Sequence, residues 1–167
     1  INFRLATAPM SAPAQWSTLI AGSDHAYLTG FTAFKRFYVL DLREDGLDQI
    51  EVRYYDDQAR VERIAFPEAS YDASMGSNPE WDQDTLRLGY TSMVTPHTVF
   101  DYDVAGRGLT TLKVQEVPSG YDPTLYTTER VMVQARDGAM VPVSILYRKD
   151  RKGPREGGNA PLFQYGY

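Results

Sequence analysis

Short alternating segments separated by turn signals are the feature that most constrains the fold of this chain. In the stretch VLDLREDGLDQIEVRYYDDQARVERIAF, apolar and polar residues alternate between the turn signals Asp45-Gly46 and Asp56-Asp57. A period of two places successive side chains on opposite faces of a sheet, and Asp-Gly between such segments is a strong hairpin signal. The stretch therefore predicts a three-stranded antiparallel meander.

Similar segments recur along the first two thirds of the chain. Aromatic residues make up 13% of the sequence, including 12 tyrosines, and this bias favours strands over helices. Most of the predicted strands are bounded by Gly, Pro, Asp or Asn. The predicted strands cover residues 2–6, 25–29, 37–43, 49–55, 60–66, 70–76, 85–91, 97–103 and 109–116.

A weak internal repeat suggests how these strands are grouped. A Tyr-Asp pair at 55–56 and another at 102–103 each precede a polar turn, and the two pairs lie 47 positions apart. Blades of β-propellers recur every ~40–50 residues, although a sandwich of meanders would give a similar pattern. The Trp-Asp pair at 81–82 is no WD-repeat signature, because it falls in a polar loop and not at the end of a strand.

The character of the sequence changes after residue 117. Residues 118–128 contain two prolines and no clean alternation, which predicts a linker packed by its tyrosines. Two alternating segments then flank Asp137-Gly138 and predict a hairpin whose type I′ turn needs positive φ at both central residues. A charged, Gly-rich loop and a short apolar strand over 161–165 are predicted to follow.

Composition excludes several classes of function. The net charge is −5 and the pI about 5.0, which argues against a nucleic-acid partner and against an anionic membrane surface. The chain has no cysteine, so it has neither a disulfide framework nor a thiolate nucleophile, as suits the cytoplasm. It begins with neither Met nor a signal peptide, and we expect the natural N-terminus to lie upstream.

Motifs that would carry chemistry are missing from the sequence. Ser23 has no flanking glycines of a G-x-S-x-G nucleophile turn, so a complete small esterase is not predicted. His25 and His97 lie in dissimilar contexts and are interpreted as ordinary strand or turn residues. No metal-ligand spacing or phosphate loop occurs, and we expect no cofactor. The carboxylates of Glu80, Asp82 and Asp84 are interpreted as residues of a solvated loop.

Five sequence blocks nevertheless resemble a known family. ERVMVQARDGAMVPVSILYRKD followed by PLFQYGY is similar to the crossing from propeller to hydrolase domain in the prolyl oligopeptidase family of serine peptidases, and most similar to its oligopeptidase B branch. NFRLATAP, QWSTLI and YTSMVTPHTVFDYD lie in the order of that branch, so the resemblance covers nearly the whole chain. Gln164 departs from it, since an aliphatic residue is usual there.

The resemblance implies a mainly β fold in two parts. Residues 1–117 would form the last two or three blades of a seven-bladed propeller, and residues 118–128 a linker. Residues 129–167 would supply the first three strands of an α/β-hydrolase sheet. The parent protein would be a cytoplasmic endopeptidase that cleaves short peptides after Lys or Arg, with the propeller excluding large folded substrates. The Ser, Asp and His of its triad would all lie downstream, so the chain alone would be inactive.

One catalytic group is implied within the chain. The second Tyr of Tyr-Gly-Tyr, which is Tyr167, would direct its hydroxyl at the oxyanion of the tetrahedral intermediate. A donor of this kind contributes roughly 2.7–4 kcal/mol to catalysis. Without a nucleophile in the chain, however, Tyr167 would have no oxyanion to stabilise.

Two further expectations concern partners. A chain of incomplete blades would have bare strand edges, so it would associate with itself or exist within a larger nicked protein. The alternative is a self-standing all-β module that binds carbohydrate or protein. Such a module would have a closed sheet and would expose Trp16 or Trp81 on a groove.

Overall fold

Strand order in space follows strand order in the chain. The computed structural model describes residues 2–151 and 161–166. A small two-stranded sheet comes first in the chain. Two four-stranded antiparallel meanders follow it, and we call these two meanders the first sheet and the second sheet. The small sheet contains β1 (Leu5–Thr7) and β2 (Ser17–Ile20); the first sheet contains β3 (Ala26–Ala33), β4 (Phe37–Glu44), β5 (Leu47–Tyr54) and β6 (Val61–Arg63); the second sheet contains β7 (Asp72–Met75), β8 (Thr85–Thr91), β9 (Thr98–Asp103) and β10 (Gly108–Val114).

The tight turn between β4 and β5 fixes the register of the first sheet. Asp45 and Gly46 have φ angles of 51° and 78°, as a two-residue type I′ hairpin requires. The pairing then runs without a break from Glu44 opposite Leu47 to Phe37 opposite Tyr54. The meander predicted from this stretch of sequence is confirmed, and β3 extends it to four strands.

The main core lies between the two four-stranded sheets. One face of β4 and β5 packs against one face of β8 and β9, and most of these side chains are fully buried. The alternation seen in the sequence of β5, β8 and β9 follows directly, because inward apolar residues alternate there with mostly polar residues on the opposite face. The buried side chains include Phe37, Val39, Ile50, Val52, Leu86, Leu88, Tyr90, Phe100 and Tyr102.

A second, smaller cluster covers the other face of the first sheet. Tyr38, Leu40 and Leu42 on β4 pack there against Leu19 and Ile20 of β2, among others. The first sheet is therefore apolar on both faces, which explains the uninterrupted buried run at the start of β4. Each of the three sheets packs face to face with its neighbour in the chain.

A long hairpin follows the second sheet. Its strands are β11 (Tyr126–Gln134) and β12 (Met140–Arg148), preceded by a 3₁₀ turn at Pro123–Leu125 and followed by another at Lys149–Arg151. The hairpin is confirmed, but the type I′ turn at Asp137-Gly138 is wrong. Only Gly138 has positive φ (89°), and Ala135 N–H donates to Ala139 O across a three-residue loop. The Asp137 carboxylate accepts the Ala139 N–H, which favours this three-residue loop.

Two sequence predictions about strands need correction. β2 was not predicted, because four residues of the sequence STLI carry too little alternation to identify a strand. The strand predicted over 161–165 is not formed: residues 161–166 have no regular secondary structure and are exposed. A strand needs a neighbour to complete its hydrogen bonds, and β11 and β12 pair only with each other among the described residues.

Candidate functional site at the junction of the sheets and the hairpin

Alternation of strand direction places the connections of the sheets at two opposite ends. The β4–β5 turn and the β8–β9 turn share one end with the hairpin, and we call it the hairpin end. The β3–β4, β5–β6, β7–β8 and β9–β10 connections lie at the other end, the far end. The chain's candidate functional groups divide between these two ends.

At the hairpin end, two carboxylates cap the free edge of β7. Met75 N–H donates to Asp41 Oδ1 (3.2 Å), and Ala73 N–H donates to Asp48 Oδ2 (3.1 Å). These N–H groups point away from β8, so a strand edge that would otherwise be bare is satisfied by the first sheet. Burial raises the pKa of Asp41, the Met75 hydrogen bond opposes this rise, and the charge of Asp48 adds to it.

The cap has a steric and an ionic support. Gly30 lies opposite Asp41 in the register, and a Cβ at Gly30 would come within 2.6 Å of Asp41 Oδ2. Arg43 pairs with Asp48 (3.0 Å) and reaches Asp72 on β7 (3.7 Å). The seam between the two sheets is thus apolar in its middle and polar at the hairpin end.

The hairpin contacts this same end of the sheets. Arg130 of β11 donates to Asp45 O in the β4–β5 turn. Ser144 of β12 hydrogen-bonds Ser70, which lies on the connection from the first sheet to the second (2.6 Å). The hairpin therefore touches both the first sheet and the connection between the sheets.

At the far end, ion pairs cross the seam again. Lys35 Nζ pairs with Asp82 (2.6 Å), and Arg36 pairs with Asp84. The carboxylates at 82 and 84 were predicted to be solvated-loop residues, and both lie in a loop and are more than half exposed. Each also pairs with a cation of the neighbouring sheet, which the sequence did not predict. Exposed pairs of this kind contribute little energy individually, so their effect is mainly on alignment.

Glu62 is a buried carboxylate of the far end, with 7% of its surface exposed. It accepts hydrogen bonds from Arg60 (2.8 Å), from Arg107 across the seam (2.6 Å) and from Tyr54 OH (3.2 Å). Burial raises the pKa of Glu62, but these three donors outweigh it, so the pKa lies below its ordinary value. Arg107 has a φ of 56°, an uncommon conformation for a residue with a Cβ, and its guanidinium reaches Glu62 from that conformation.

A cleft of about 590 Å³ opens at the far end beside this network. The Arg60 guanidinium lies 3.8 Å from the centroid of the Tyr54 ring and occupies that aromatic face. The cations lining the cleft already pair with carboxylates, so the cleft has no marked excess of either charge. Its lining comprises Lys35, Arg36, Phe37, Tyr54, Tyr55, Asp56, Arg60, Asp84, Val104 and Ala105.

The side chains considered for chemistry in the sequence are dispersed. His25 and His97 are both exposed. His25 directly precedes β3, and His97 lies in the connection between β8 and β9. Ser23 Oγ accepts the backbone N–H groups of His25 (3.1 Å) and Ala26 (3.2 Å), which is a turn-forming role. Within residues 2–151 and 161–166, no group of three His, Asp or Glu side chains is arranged to hold a metal ion. Tyr167, the predicted oxyanion donor, lies outside the described residues.

The tryptophans and the sheet edges of the described part of the chain bear on the alternative of a self-standing binding module. Trp16 and Trp81 are 69% and 57% exposed, as a binding module would require, but neither lines the far-end cleft. Both four-stranded sheets are open, with β3 and β10 at outer edges, so the closed sheet of such a module is not formed. No helix among the described residues has the length and apolar character needed to cross a membrane.

The architecture defines a class of protein. Two consecutive four-stranded meanders, packed face to face and each connected in chain order, are blades of a β-propeller. The repeat predicted from the two Tyr-Asp pairs is confirmed in this sense. The first pair directly follows β5, the third strand of the first sheet, and the second pair ends β9, the third strand of the second sheet.

Comparison with known proteins gives the family. Residues 1–115 match the model of the prolyl oligopeptidase N-terminal β-propeller domain. The chain is 36% identical to dipeptidyl aminopeptidase BI of Pseudoxanthomonas mexicana, covering 99% of this chain and 22% of that protein. It is 26% identical to Protease 2 of Moraxella lacunata, covering all of this chain and 23% of that protein. Among solved structures, oligopeptidase B from Trypanosoma brucei superimposes with a TM-score of 0.72 and 29% identity, over 84% of this chain and 21% of that one.

The chain belongs to the prolyl oligopeptidase family, as its sequence predicted. It spans about a fifth of the length of the relatives it matches. Its described part is a propeller portion of an oligopeptidase B-like peptidase, followed by one hairpin.

Sequence reasoning missed the contacts that join the sheets. Asp41, Asp48 and Glu62 were not singled out, because each lies in an ordinary alternating strand or turn. A charged residue at an inward position of an alternating strand was the available signal. Asp41 occupies the same face of β4 as the buried Phe37 and Val39, where an unpaired carboxylate would be costly.

Proposed function

We propose that this chain is the closing part of the propeller and the opening hairpin of the peptidase domain in a serine oligopeptidase. That longer protein cleaves short peptides after Lys or Arg in the cytoplasm, and the propeller excludes large folded substrates. The supporting observation is the combination of two complete blades with a hairpin docked on their turns, in a chain of this family. The chain by itself is expected to be inactive.

The uncovered hairpin supports this division of the chain. Val131, Met132 and Val133 are consecutive on β11, so they point to alternating faces, yet all three are more than a third exposed. Met140 and Val141 on β12 are similarly exposed. A hairpin that is apolar on both faces is typical of the interior of an α/β sheet. Further strands and helices of a peptidase domain would bury these faces.

The direct test uses the longer protein and a fluorogenic peptide ending in Arg-Arg. Turnover is expected for that peptide, much slower turnover for a folded protein with exposed arginines, and none for this chain alone. Equal cleavage of the folded protein would contradict the size filter. Turnover of a peptide ending in Pro, with none after Arg, would contradict the Lys/Arg preference.

A second specificity has support from the relative named dipeptidyl aminopeptidase, which is 36% identical over nearly all of this chain. The longer protein would then remove dipeptides from free N-termini. Paired substrates with the same Arg residue and either a free or a blocked N-terminus distinguish the two. Preference for the blocked peptide supports the endopeptidase, and activity confined to the free dipeptide supports the aminopeptidase.

We also propose that the isolated chain associates with itself. The outer edge of β10 is open, and Leu112 and Val114 on this strand are nearly half exposed. Exposed edges with apolar side chains pair readily with other strands. Light scattering behind a sizing column should give a mass above 18.8 kDa for the chain. A mass spectrum of the same sample distinguishes association of the chain from a nicked larger protein.

A further inference from the structure

Two carboxyl groups of the first sheet hold the edge of β7 at the hairpin end. Asp41 accepts the Met75 N–H, and Asp48 accepts the Ala73 N–H. These two N–H groups lie two residues apart on β7 and point in the same direction, so both carboxyl groups act on one strand edge. We call the carboxyl groups of Asp41 and Asp48 the edge cap.

The two carboxyl groups of the edge cap have different electrostatic surroundings. Arg43 lies opposite Asp48 in the register of β4 and β5, and its guanidinium pairs with that carboxylate (3.0 Å). Asp41 has no Lys or Arg partner among the described residues, and the charge that acts on it is that of Asp48. Arg43 therefore compensates a negative charge on Asp48, whereas a second negative charge on Asp41 would be opposed by the first.

Strand β3 limits the space and the water around Asp41. The register of β3 and β4 shifts between Leu28 and Gly30, which leaves Thr29 as an extra residue and places Gly30 opposite Asp41. A Cβ at Gly30 would stand 2.6 Å from Asp41 Oδ2, so this oxygen lies close against the backbone of β3. Burial and the charge of Asp48 raise the pKa of Asp41 above its ordinary value, although the Met75 hydrogen bond opposes the rise.

Other charged and titratable groups also face the edge cap. Arg43 of β4 reaches Asp72 at the start of β7 (3.7 Å) as well as Asp48. Burial raises the pKa of Tyr71, which directly precedes β7, above its ordinary value of 10.0; the charge of Asp48 adds to this rise, and the charge of Arg130 on β11 opposes it. Tyr71 therefore stays neutral, and both arginines stay charged, over the pH range in which carboxyl groups titrate.

We propose that the edge cap is a proton-linked contact between the two blades, in which β7 closes on the first sheet with a proton on Asp41 and loosens when that proton passes to solvent. The proton removes the repulsion between the two carboxyl groups and still leaves one oxygen of Asp41 to accept the Met75 N–H. Loss of the proton leaves two negative charges, of which Arg43 compensates one. The contact is therefore held more weakly at higher pH.

Linkage between protonation and closure gives the direction of the effect. Opening of the contact returns Asp41 to water and to its ordinary pKa of 3.8, which is below the raised pKa of the closed state. The closed state thus binds the proton more tightly than the open state. Opening becomes easier as pH rises above 3.8, and the effect levels off above the raised pKa.

Hydrogen exchange in the longer protein, measured by mass spectrometry on peptides covering 72–76, tests the contact. Rates are corrected for the intrinsic pH dependence of amide exchange and followed from about pH 4 to about pH 8. The corrected rate of the wild type should rise with pH and then level off. Asp41→Asn keeps the acceptor oxygen but cannot titrate, so its corrected rate should change far less over the same range. A constant rate in the wild type, or the same rise in Asp41→Asn, would overturn the proposal.

Two more variants separate the charge of Asp48 from a general weakening of the seam. Asp48→Asn removes the charge that opposes ionisation of Asp41, so the rise should be smaller and should level off at a lower pH. The matched control is Asp84→Asn, which removes a carboxylate of the same seam at the far end and should change the exchange rate by the same factor at every pH. An effect of Asp84→Asn on the pH dependence as large as that of Asp48→Asn would overturn the role of the edge cap.

Asp41→Ala measures the hydrogen bond itself. This variant lacks the acceptor for the Met75 N–H, so peptides covering 72–76 should exchange roughly 5- to 150-fold faster than in Asp41→Asn, the effect of a donor left without a partner. Equal rates in the Ala and Asn variants would show that Asp41 does not hold β7, and would overturn the contact on which the proposal stands.

The edge cap also lies beside the contact with the hairpin. Asp41 and Asp48 flank the β4–β5 turn, and Arg130 of β11 donates to Asp45 O in this turn. Loosening of the cap should therefore reach the peptidase domain, a step that rests on the proposed function, in which the hairpin begins that domain. With the Arg-Arg peptide, the ratio of kcat/KM of the wild type to that of Asp41→Asn should fall as pH rises over the range in which exchange rises.

The kinetic outcomes can be told apart from the exchange outcomes. A ratio of kcat/KM that does not change with pH would overturn the link between the edge cap and the peptidase domain. Absence of turnover in every protein, wild type included, would contradict the proposed function, and the exchange data would still decide whether the contact is proton-linked.

Discussion

Replacement of Asp41 separates the hydrogen-bonding role of the edge cap from its charge. Asp41→Ala removes the acceptor for Met75 N–H at a partly buried position. Asp41→Asn keeps an oxygen of the same shape in the same place and removes the negative charge. The two variants should therefore differ strongly in stability, although both lack the carboxylate.

The magnitude follows from the contacts. A donor left without a partner costs about 1–3 kcal/mol, so Asp41→Ala should destabilise the chain by about that amount at pH 7. Burial and the neighbouring Asp48 both raise the pKa of Asp41, which means that the charged form is disfavoured in the folded state. Asp41→Asn should consequently equal or exceed the wild type in stability at neutral pH.

The pH dependence has a definite sign. The pKa of Asp41 in the folded state is raised above its ordinary value of 3.8. The folded state therefore binds this proton more tightly than the unfolded state, and the resulting stabilisation is complete below pH 3.8 and lost as pH rises through the raised pKa. The advantage of Asp41→Asn over the wild type should be present at pH 7 and shrink as the pH is lowered towards 4.

Urea unfolding at several pH values, followed by tyrosine and tryptophan fluorescence, measures these differences. The slope of the free energy of unfolding against urea concentration should be the same for all three proteins, so that their unfolding midpoints can be compared. If Asp41→Asn is as unstable as Asp41→Ala at pH 7, the charge and not the oxygen holds the seam, and the reasoning fails. A constant difference between Asp41→Asn and wild type across pH would refute the titration argument.

Three further changes test other parts of the structure by the same measurement. Gly30→Ala should destabilise the folded chain by about 1–3 kcal/mol, because its new methyl group would be overpacked against Asp41. The control is Gly108→Ala, which should be nearly neutral because nothing lies within 4 Å of its new Cβ. Equal effects of the two substitutions would contradict the clash at Gly30. Leu88→Ala should cost about 2–5 kcal/mol, because Leu88 is fully buried in the main core, and a cost below 1 kcal/mol would show that the sheets pack loosely. Glu62→Gln should destabilise at pH 7 by about 1–3 kcal/mol. Since the pKa of Glu62 in the folded state is lowered, this loss should begin to fade as pH drops below the ordinary value of 4.5 and disappear as pH falls through the lowered pKa. A loss independent of pH would point to shape alone.

Much of the strand content follows from local sequence patterns. Each of the nine strands predicted before residue 117 has a counterpart, because alternation and Gly, Asp or Pro punctuation act over a few residues. The type I′ turn was predictable at Asp45-Gly46 but not at Asp137-Gly138. The same dipeptide forms two different turns, since the flanking strands set the loop length.

The contacts of the candidate site could not be predicted in the same way. Asp41 and Met75 lie 34 residues apart, and Glu62 and Arg107 lie 45 residues apart. These groups meet only because one blade packs on the next. The ion pairs of Asp82 and Asp84 were not predicted for the same reason, since Lys35 and Arg36 come from the other sheet.

The sequence by itself determined most of the strands and the family, because these are written in local alternation, turn residues and motif order. Only the tertiary structure decided which carboxylates cap the edge of β7 and that residues 161–166 lack a strand. The physical reason is that a buried polar group must find its partner wherever packing brings one near, and sequence separation carries no information about that distance.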